Sequence, residues 1–140
     1  MIKNEMKRAG TILCIFAIWL LTTPVHPDQA RADEGPPVVV RTFPPSGGAD
    51  IDPSVNEIKV EFSREMTDKS WSWVSISPEN SPKFLSPPRY LDDGRTCVVP
   101  VRLEPGKTYI IWLNTQKFAR FKDRNGRSAV PYLLMFDTRK

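Results

Sequence analysis

Hydrophobic residues in this chain recur at every second position in short runs, and proline and glycine separate the runs. The clearest run is Glu57 to Ser63. Ile58, Val60 and Phe62 point one way, while Glu57, Lys59 and Glu61 point the other. Strict alternation predicts a strand with one buried face and one wet face. Thr96 to Leu103 repeats the pattern, with Cys97, Val99, Val101 and Leu103 in phase. Tyr109, Ile111 and Leu113 share the next inward face and leave Ile110 and Trp112 outside; Tyr132, Leu134 and Phe136 form the last inward set. Trp71 to Ser77 also alternates. With Val74 and Ile76 as its inward pair, Trp71 and Trp73 fall on the opposite face, as Trp112 does. The β-branched Val38-Val39-Val40 starts the first strand, and Ile51 is expected to tuck back into the core.

The punctuation agrees with short strands. Pro44-Pro45-Ser46-Gly47-Gly48, Asp92-Asp93-Gly94, Pro105-Gly106 and Asp123-Arg124-Asn125-Gly126 read as turns. Proline occurs four times between Pro78 and Pro88, which argues against a long central strand there. The result is roughly six or seven strands with no amphipathic helix, a pattern that favours a sandwich or barrel.

The first 32 residues read differently. Lys3, Lys7 and Arg8 make a basic start, Thr11 to Leu21 is uncharged and mostly apolar, and Ala30-Arg31-Ala32 offers the small residues a signal peptidase reads. The apolar run is about half the ~20 residues that a spanning helix needs. Residues 1–32 are therefore expected to be a cleaved secretory signal peptide. Residues 33–140 would form a single domain starting at Asp33, with no membrane span after cleavage. Cys14 follows the bulky Leu13, which disfavours a lipoprotein site.

Cleavage changes the charge and the chemistry. The whole chain carries a net +4, whereas residues 33–140 keep 16 basic and 14 acidic side chains. A net of +2 implies no global attraction to nucleic acid or membrane. Cys14 and His26 leave with the signal, so Cys97 has no intrachain partner and no histidine remains. That excludes a disulfide framework and removes the usual zinc and Ser-His or Cys-His sites. No catalytic, cofactor-binding or metal-binding residue is assigned, and no cofactor is expected.

In order along the chain, several short motifs resemble one family. Pro37-Val38-Val39 and the Pro44 to Gly48 turn come first, followed by Phe62-Ser63-Arg64-Glu65-Met66 as a Phe-Ser-x-x-Met strand end. Leu103 to Tyr109 fits Leu-x-Pro-Gly-x-x-Tyr. Asp123 to Gly126 fits an Asp-x-x-Gly turn, and Phe136 to Thr138 fits Phe-x-Thr. Together they resemble the bacterial Ig-like domain of the S-layer-protein (SbsA-like) type, over roughly Pro36 to Thr138. The resemblance implies an all-β, immunoglobulin-like Greek-key β-sandwich of about seven strands. It also implies an extracytoplasmic spacer, packing or adhesion module of the bacterial envelope, periplasmic or extracellular, and carries no catalytic residues. Trp71 to Arg95, with its tryptophans and prolines, departs from the family pattern.

Individual residues have sharper and plainer readings. Tyr109 follows its Pro-Gly turn as a tyrosine corner does. Cys97 is expected to be a buried, inert thiol. Trp71, Trp73 and Trp112 could form a contact surface for carbohydrate or protein, or could pack beneath the proline-rich segment. Lys117, Arg120 and Lys122, with Arg124 and Arg127, interleave with Phe118 and Phe121. That mixture can hold single-stranded nucleic acid, a ligand an exported protein rarely meets. Anionic polysaccharide or lipid headgroups fit better, and the structural alternative is a solvated loop whose phenylalanines cap the core. Asp92-Asp93 reads as an exposed turn, and Asp123 to Gly126 as a turn lacking the later acidic ligand of a calcium loop.

The sequence thus favours a non-catalytic, extracytoplasmic binding or structural module whose partner is a protein or polysaccharide of the cell envelope. The alternative from another class is an accessory domain or small secreted hydrolase acting on cell-surface polysaccharide through carboxylates.

Overall fold

The structure, a computed structural model, describes residues 35–140. The expected signal peptide, residues 1–32, and its expected cleavage point lie outside the described residues. Nine strand segments follow one another: β1 (Val39–Phe43), β2 (Gly48–Ile51), β3 (Glu57–Phe62), β4 (Trp73–Ser75), β5 (Lys83–Phe84), β6 (Arg89–Tyr90), β7 (Thr96–Arg102), β8 (Thr108–Leu113) and β9 (Tyr132–Thr138). Among the described residues there is no helix.

Two sheets divide these segments. One runs β1-β3-β7 and continues onto β5 and β6, which both pair with β7; the other runs β2-β9-β8-β4. This is the immunoglobulin order, with the chain crossing between sheets in Greek-key fashion. Nine segments fill seven strand positions. The first position is shared by β1 and β2, because the Pro44 to Gly48 turn moves the chain from one sheet to the other. There β2 runs parallel to β9, with Gly48 opposite Phe136. A Cβ on Gly48 would lie 2.9 Å from the Pro45 carbonyl oxygen, so the crossing admits only glycine at this position without a shift of backbone.

The fourth position is broken into β5 and β6, and Pro100 supplies the reason. Its carbonyl accepts from the Leu85 N–H at 2.9 Å, so Pro100 turns its backbone polar edge toward this side of β7. Proline has no N–H to return. The ladder therefore holds at Val101–Arg102, through β5, and at Cys97–Val98, through β6, and lapses between them. Pro87 and Pro88 occupy the gap.

The predicted inward sets of β3, β7, β8 and β9 meet between the sheets. Ile58, Val60, Phe62, Cys97, Val99, Val101, Leu103, Tyr109, Ile111, Leu113, Leu134 and Phe136 are all buried. Ile51 and Tyr132 pack against them from the margin. Val98 is buried as well, on the opposite face of β7, where its register neighbours are Lys59 and Arg89.

The expected phase of the Trp71 to Ser77 run is reversed. Trp73 lies opposite Leu113 in the β4–β8 ladder and so faces the core; Val74 lies opposite Trp112 and faces out. Trp71 and Trp73 are half-buried against the core, while Ile76 is 57% exposed. The indole of Trp73 meets the rings of Phe121 and Phe84 edge-on, each at 5.8 Å. It thereby seals the side of the sandwich between edge strands β4 and β5. A large ring covers that opening where Val74 could not.

Phe62 is 1% exposed and stacks on Phe121 with ring centroids 5.0 Å apart. Phe62→Ala is expected to cost about 3–5 kcal/mol of unfolding free energy. Lys59→Ala, at a half-exposed side chain paired with Glu57, should cost under about 1 kcal/mol. Denaturant unfolding of both variants measures the difference, and equal losses would contradict the assigned phase of β3.

Candidate functional site

The family-type motifs cluster at the two ends of the sandwich, where they join loops to strands. At one end Glu104 is held from both sides. Its N–H donates to the Tyr109 hydroxyl at 2.7 Å, and its carbonyl accepts from the Thr138 hydroxyl at 2.6 Å. The Thr138 oxygen also accepts from the Lys107 N–H. Gly106 turns the chain between them with φ of 65°, a conformation that suits glycine. Tyr109 is the tyrosine corner that the spacing predicted.

The other end carries two buried polar residues that hydrophobic patterning misses. Asn114, fully buried at the end of β8, spends its whole side-chain amide on the following loop. Its Nδ2 donates to the carbonyls of Phe121 and Ala129, each at 3.0 Å, and its Oδ1 accepts from the Phe121 N–H at 2.9 Å. Asp123 is 1% exposed. Its carboxylate accepts from the N–H groups of Asn125 and Arg127 and from Arg127 Nε at 2.8 Å, with Arg64 Nη1 at 3.7 Å. Met66 bridges to Asp123 across the backbone, and the Thr67 hydroxyl donates to its carbonyl. The Phe-Ser-x-x-Met strand end and the Asp-x-x-Gly turn are thus two halves of one clamp.

Other reactive types are equally occupied. Asp93 caps the start of β7 by accepting from the Arg95 and Thr96 N–H groups and the Thr96 hydroxyl. Burial pushes the Cys97 thiol up to about 12. At neutral pH the thiol stays protonated and inert. Among the described residues there is no cluster of three or more metal-ligating side chains.

The six candidate contact residues do not form one surface. Trp71, Trp73 and Arg120 meet in an open groove of about 360 Å³ at the sandwich side, together with Phe84, Pro88 and Phe118. Phe118 is 48% exposed there, whereas its neighbour Phe121 is buried in the core, so only one of the two phenylalanines is a cap. Trp112 lies elsewhere, on the outer face of the second sheet, beside Lys117 and Pro131. The expectation that Trp112 shares an outer face with Trp71 or Trp73 is therefore corrected: the inward turn of Trp73 separates them. Lys117 Nζ lies 5.3 Å from the Phe118 ring centre, between the two surfaces. Lys122 is exposed and lines neither. A larger groove, of about 580 Å³, runs along Met66, Asp68, Tyr90, Asp92 and Arg124; its charges are mixed and its aromatic content is low.

Asp123 ties stability to pH. Burial pushes its carboxyl up, but the Arg127 N–H, the Arg127 guanidinium and the Asn125 N–H outweigh burial and hold it below the usual carboxylate range. A carboxyl depressed in the folded state stabilises fully above its unfolded pKa of about 3.9, and that contribution is lost as pH falls through the folded value. Asp123→Asn is expected to lose about 1.5–3 kcal/mol at pH 7, with the gap to wild type closing below about pH 4. Chemical denaturation across that range checks it, and a gap constant down to about pH 2 would contradict the charge-based role.

The comparisons with known proteins agree with this architecture. Residues 33–138 match the bacterial Ig-like domain family. No curated protein matches the chain. Among solved structures, the S-layer protein rSbsC(31-844) superposes with a TM-score of 0.52 at 20% identity, over 81% of this chain and 15% of that one. The N-terminal part of the bacterial S-layer protein SbsC gives 0.53 at 20% identity, over 81% of this chain and 26% of that one. At this identity the likeness is one of fold, and the chain spans about a quarter or less of these S-layer chains. Matched along nearly all of its described length, the chain belongs to the bacterial Ig-like domain family.

Proposed function

We propose that the chain is an exported, non-catalytic module of the cell envelope that binds envelope polysaccharide through its side groove. The leader favours export to the periplasm or beyond. The main support for a non-catalytic role is the use made of the polar interior. Asn114, Asp123, Tyr109 and Thr138 are committed to backbone groups of the loops, and the Cys97 thiol is held protonated. Groups engaged in this way are not free to exchange protons with a substrate.

The groove supports the binding part of the reading. Flat rings of Trp71 and Phe118 suit the apolar faces of sugar rings, and large aromatic surfaces bring contact area at low entropic cost. Arg120 is exposed beside them and can pair with an acidic sugar substituent through a forked hydrogen bond. Its own backbone is fixed: the Arg120 N–H donates to Ser72 Oγ at 2.9 Å, and its carbonyl accepts from the Ser70 hydroxyl. The side chain is thus presented from an anchored segment.

Co-sedimentation of the exported protein with purified envelope polysaccharide tests the proposal. Retention is expected, from a protein whose N-terminus is Asp33, and the Phe118→Ala, Arg120→Ala double variant should lose at least about tenfold of it with thermal unfolding unchanged. Failure of wild type to sediment, or undiminished retention of the variant, would overturn the binding site. Release of soluble sugar fragments by wild type would overturn the non-catalytic reading.

A further inference from the structure

The outer face of the second sheet is apolar along the middle of β9, β8 and β4, where a solvated sandwich would be polar. On β9, Leu133 and Met135 point outward and are 37% and 42% exposed. In register beside them on β8 stand Trp112 and Ile110, both half-buried. Val74 continues the Trp112 row on β4. Across three strands these five positions contain no charge. Alternation should place polar side chains on a wet face, and the outer positions of β3 do so with Glu57, Lys59 and Glu61. An uncharged sheet face of this extent marks a contact.

Charges flank the face at its two ends. Beyond the Trp112–Leu133 row lies Lys117, in the same concavity as Trp112. Beyond the Ile110–Met135 row lies the Thr108–Asp137 row, where Asp137 accepts from the Thr108 hydroxyl at 2.5 Å. Among the described residues neither Lys117 nor Asp137 belongs to an ion pair.

We infer that this face is the interface of a homodimer, in which two copies pack sheet on sheet with their β8 and β9 strands running in opposite senses. The ends of the patch decide the occupant and the orientation. A twofold axis lying in the interface, perpendicular to the strands, brings Lys117 of each copy to Asp137 of the other. An axis parallel to the strands would set Lys117 against Lys117 and is opposed by like charge. The uncharged middle asks for nothing but a second uncharged face, and sheet faces pack at about 10 Å with interleaved side chains. A self-complementary patch of this kind is what a twofold contact requires. Dimerisation is expected at about 1–100 μM protein. The side groove adjoins this face at Val74, but Leu133, Met135 and Asp137 line no part of the groove, so variants at those positions test the dimer apart from the polysaccharide reading.

Sedimentation velocity of the exported protein over that concentration range is the test. Wild type is expected to pass from monomer to dimer and no further. Leu133→Asp and Met135→Lys, each shown to melt at the wild-type temperature, should remain monomeric throughout. Lys117→Asp should weaken the dimer at least about tenfold, and adding Asp137→Lys to it should restore the affinity. A wild-type chain that stays monomeric up to several hundred micromolar would overturn the proposal. So would dimers indifferent to Leu133→Asp and Met135→Lys. A charge-swapped pair no tighter than Lys117→Asp alone would overturn the antiparallel orientation.

Discussion

The buried amide of Asn114 is the constraint on which one whole end of this sandwich depends. The chain leaves β8 at Leu113 and returns to β9 at Tyr132 without a regular strand between. On the way it delivers Phe121 into the core, against Phe62 and Trp73. A buried ring drags its backbone with it, and a buried peptide group without a partner costs about 1–3 kcal/mol. Isolated bridges at Met66–Asp123 and Lys122–Ser128, and the Ala129 N–H donating to the Phe121 carbonyl, pair only part of this segment. Asn114 supplies partners for the backbone beside the Phe121 ring, with both of its N–H groups and its carbonyl oxygen engaged. Its own φ of 63° is left-handed, a conformation asparagine accepts more readily than most residues. Aspartate could not donate at that position, and leucine could do none of these things.

The same logic explains why the family-type motifs are spaced as they are. Each motif contributes half of a clamp whose other half lies far along the chain. Tyr109 and Thr138 grip the two sides of Glu104. Asp123 collects its own turn together with Arg64 and Arg127, while Met66 and Thr67 pair with the same stretch of backbone. Ser63 holds Val38 through its backbone N–H and its hydroxyl oxygen, tying the first strand to the end of β3. The strands are interchangeable in kind, being alternating apolar runs. The clamps are specific, and they fix which run lies beside which.

Legibility followed the same division. Inward phases on β3, β7, β8 and β9 could be read directly, because each of those runs is long enough for one face to be plainly apolar. Trp71 to Ser77 carries apolar residues on both faces, and its regular strand is only three residues long. Which face turned inward depended on the opening left between β4 and β5, which is a property of the assembled sheets. Pro100 interrupts a strand position at a distance, through a donor that is missing, so its effect appears only once β7 has neighbours. Asn114 and Asp123 sit at polar points of the pattern and look like loop residues. The Asp-x-x-Gly spacing did flag the turn at Asp123, but nothing in it announced a buried carboxylate. The contact surfaces divided for the same reason: three tryptophans shared an apparent phase, and one error of phase separated two of them from the third.

If Asn114 anchors its loop as part of the core, the loop should not open on its own. Native-state hydrogen exchange at the Phe121 amide, which donates to Asn114 Oδ1 at 2.9 Å, measures this directly. The expected result is an opening free energy equal to that of the β8 strand amides, so that Phe121 exchanges only through global unfolding. Exchange of the Phe121 amide by local opening, with β8 still protected, would contradict the account.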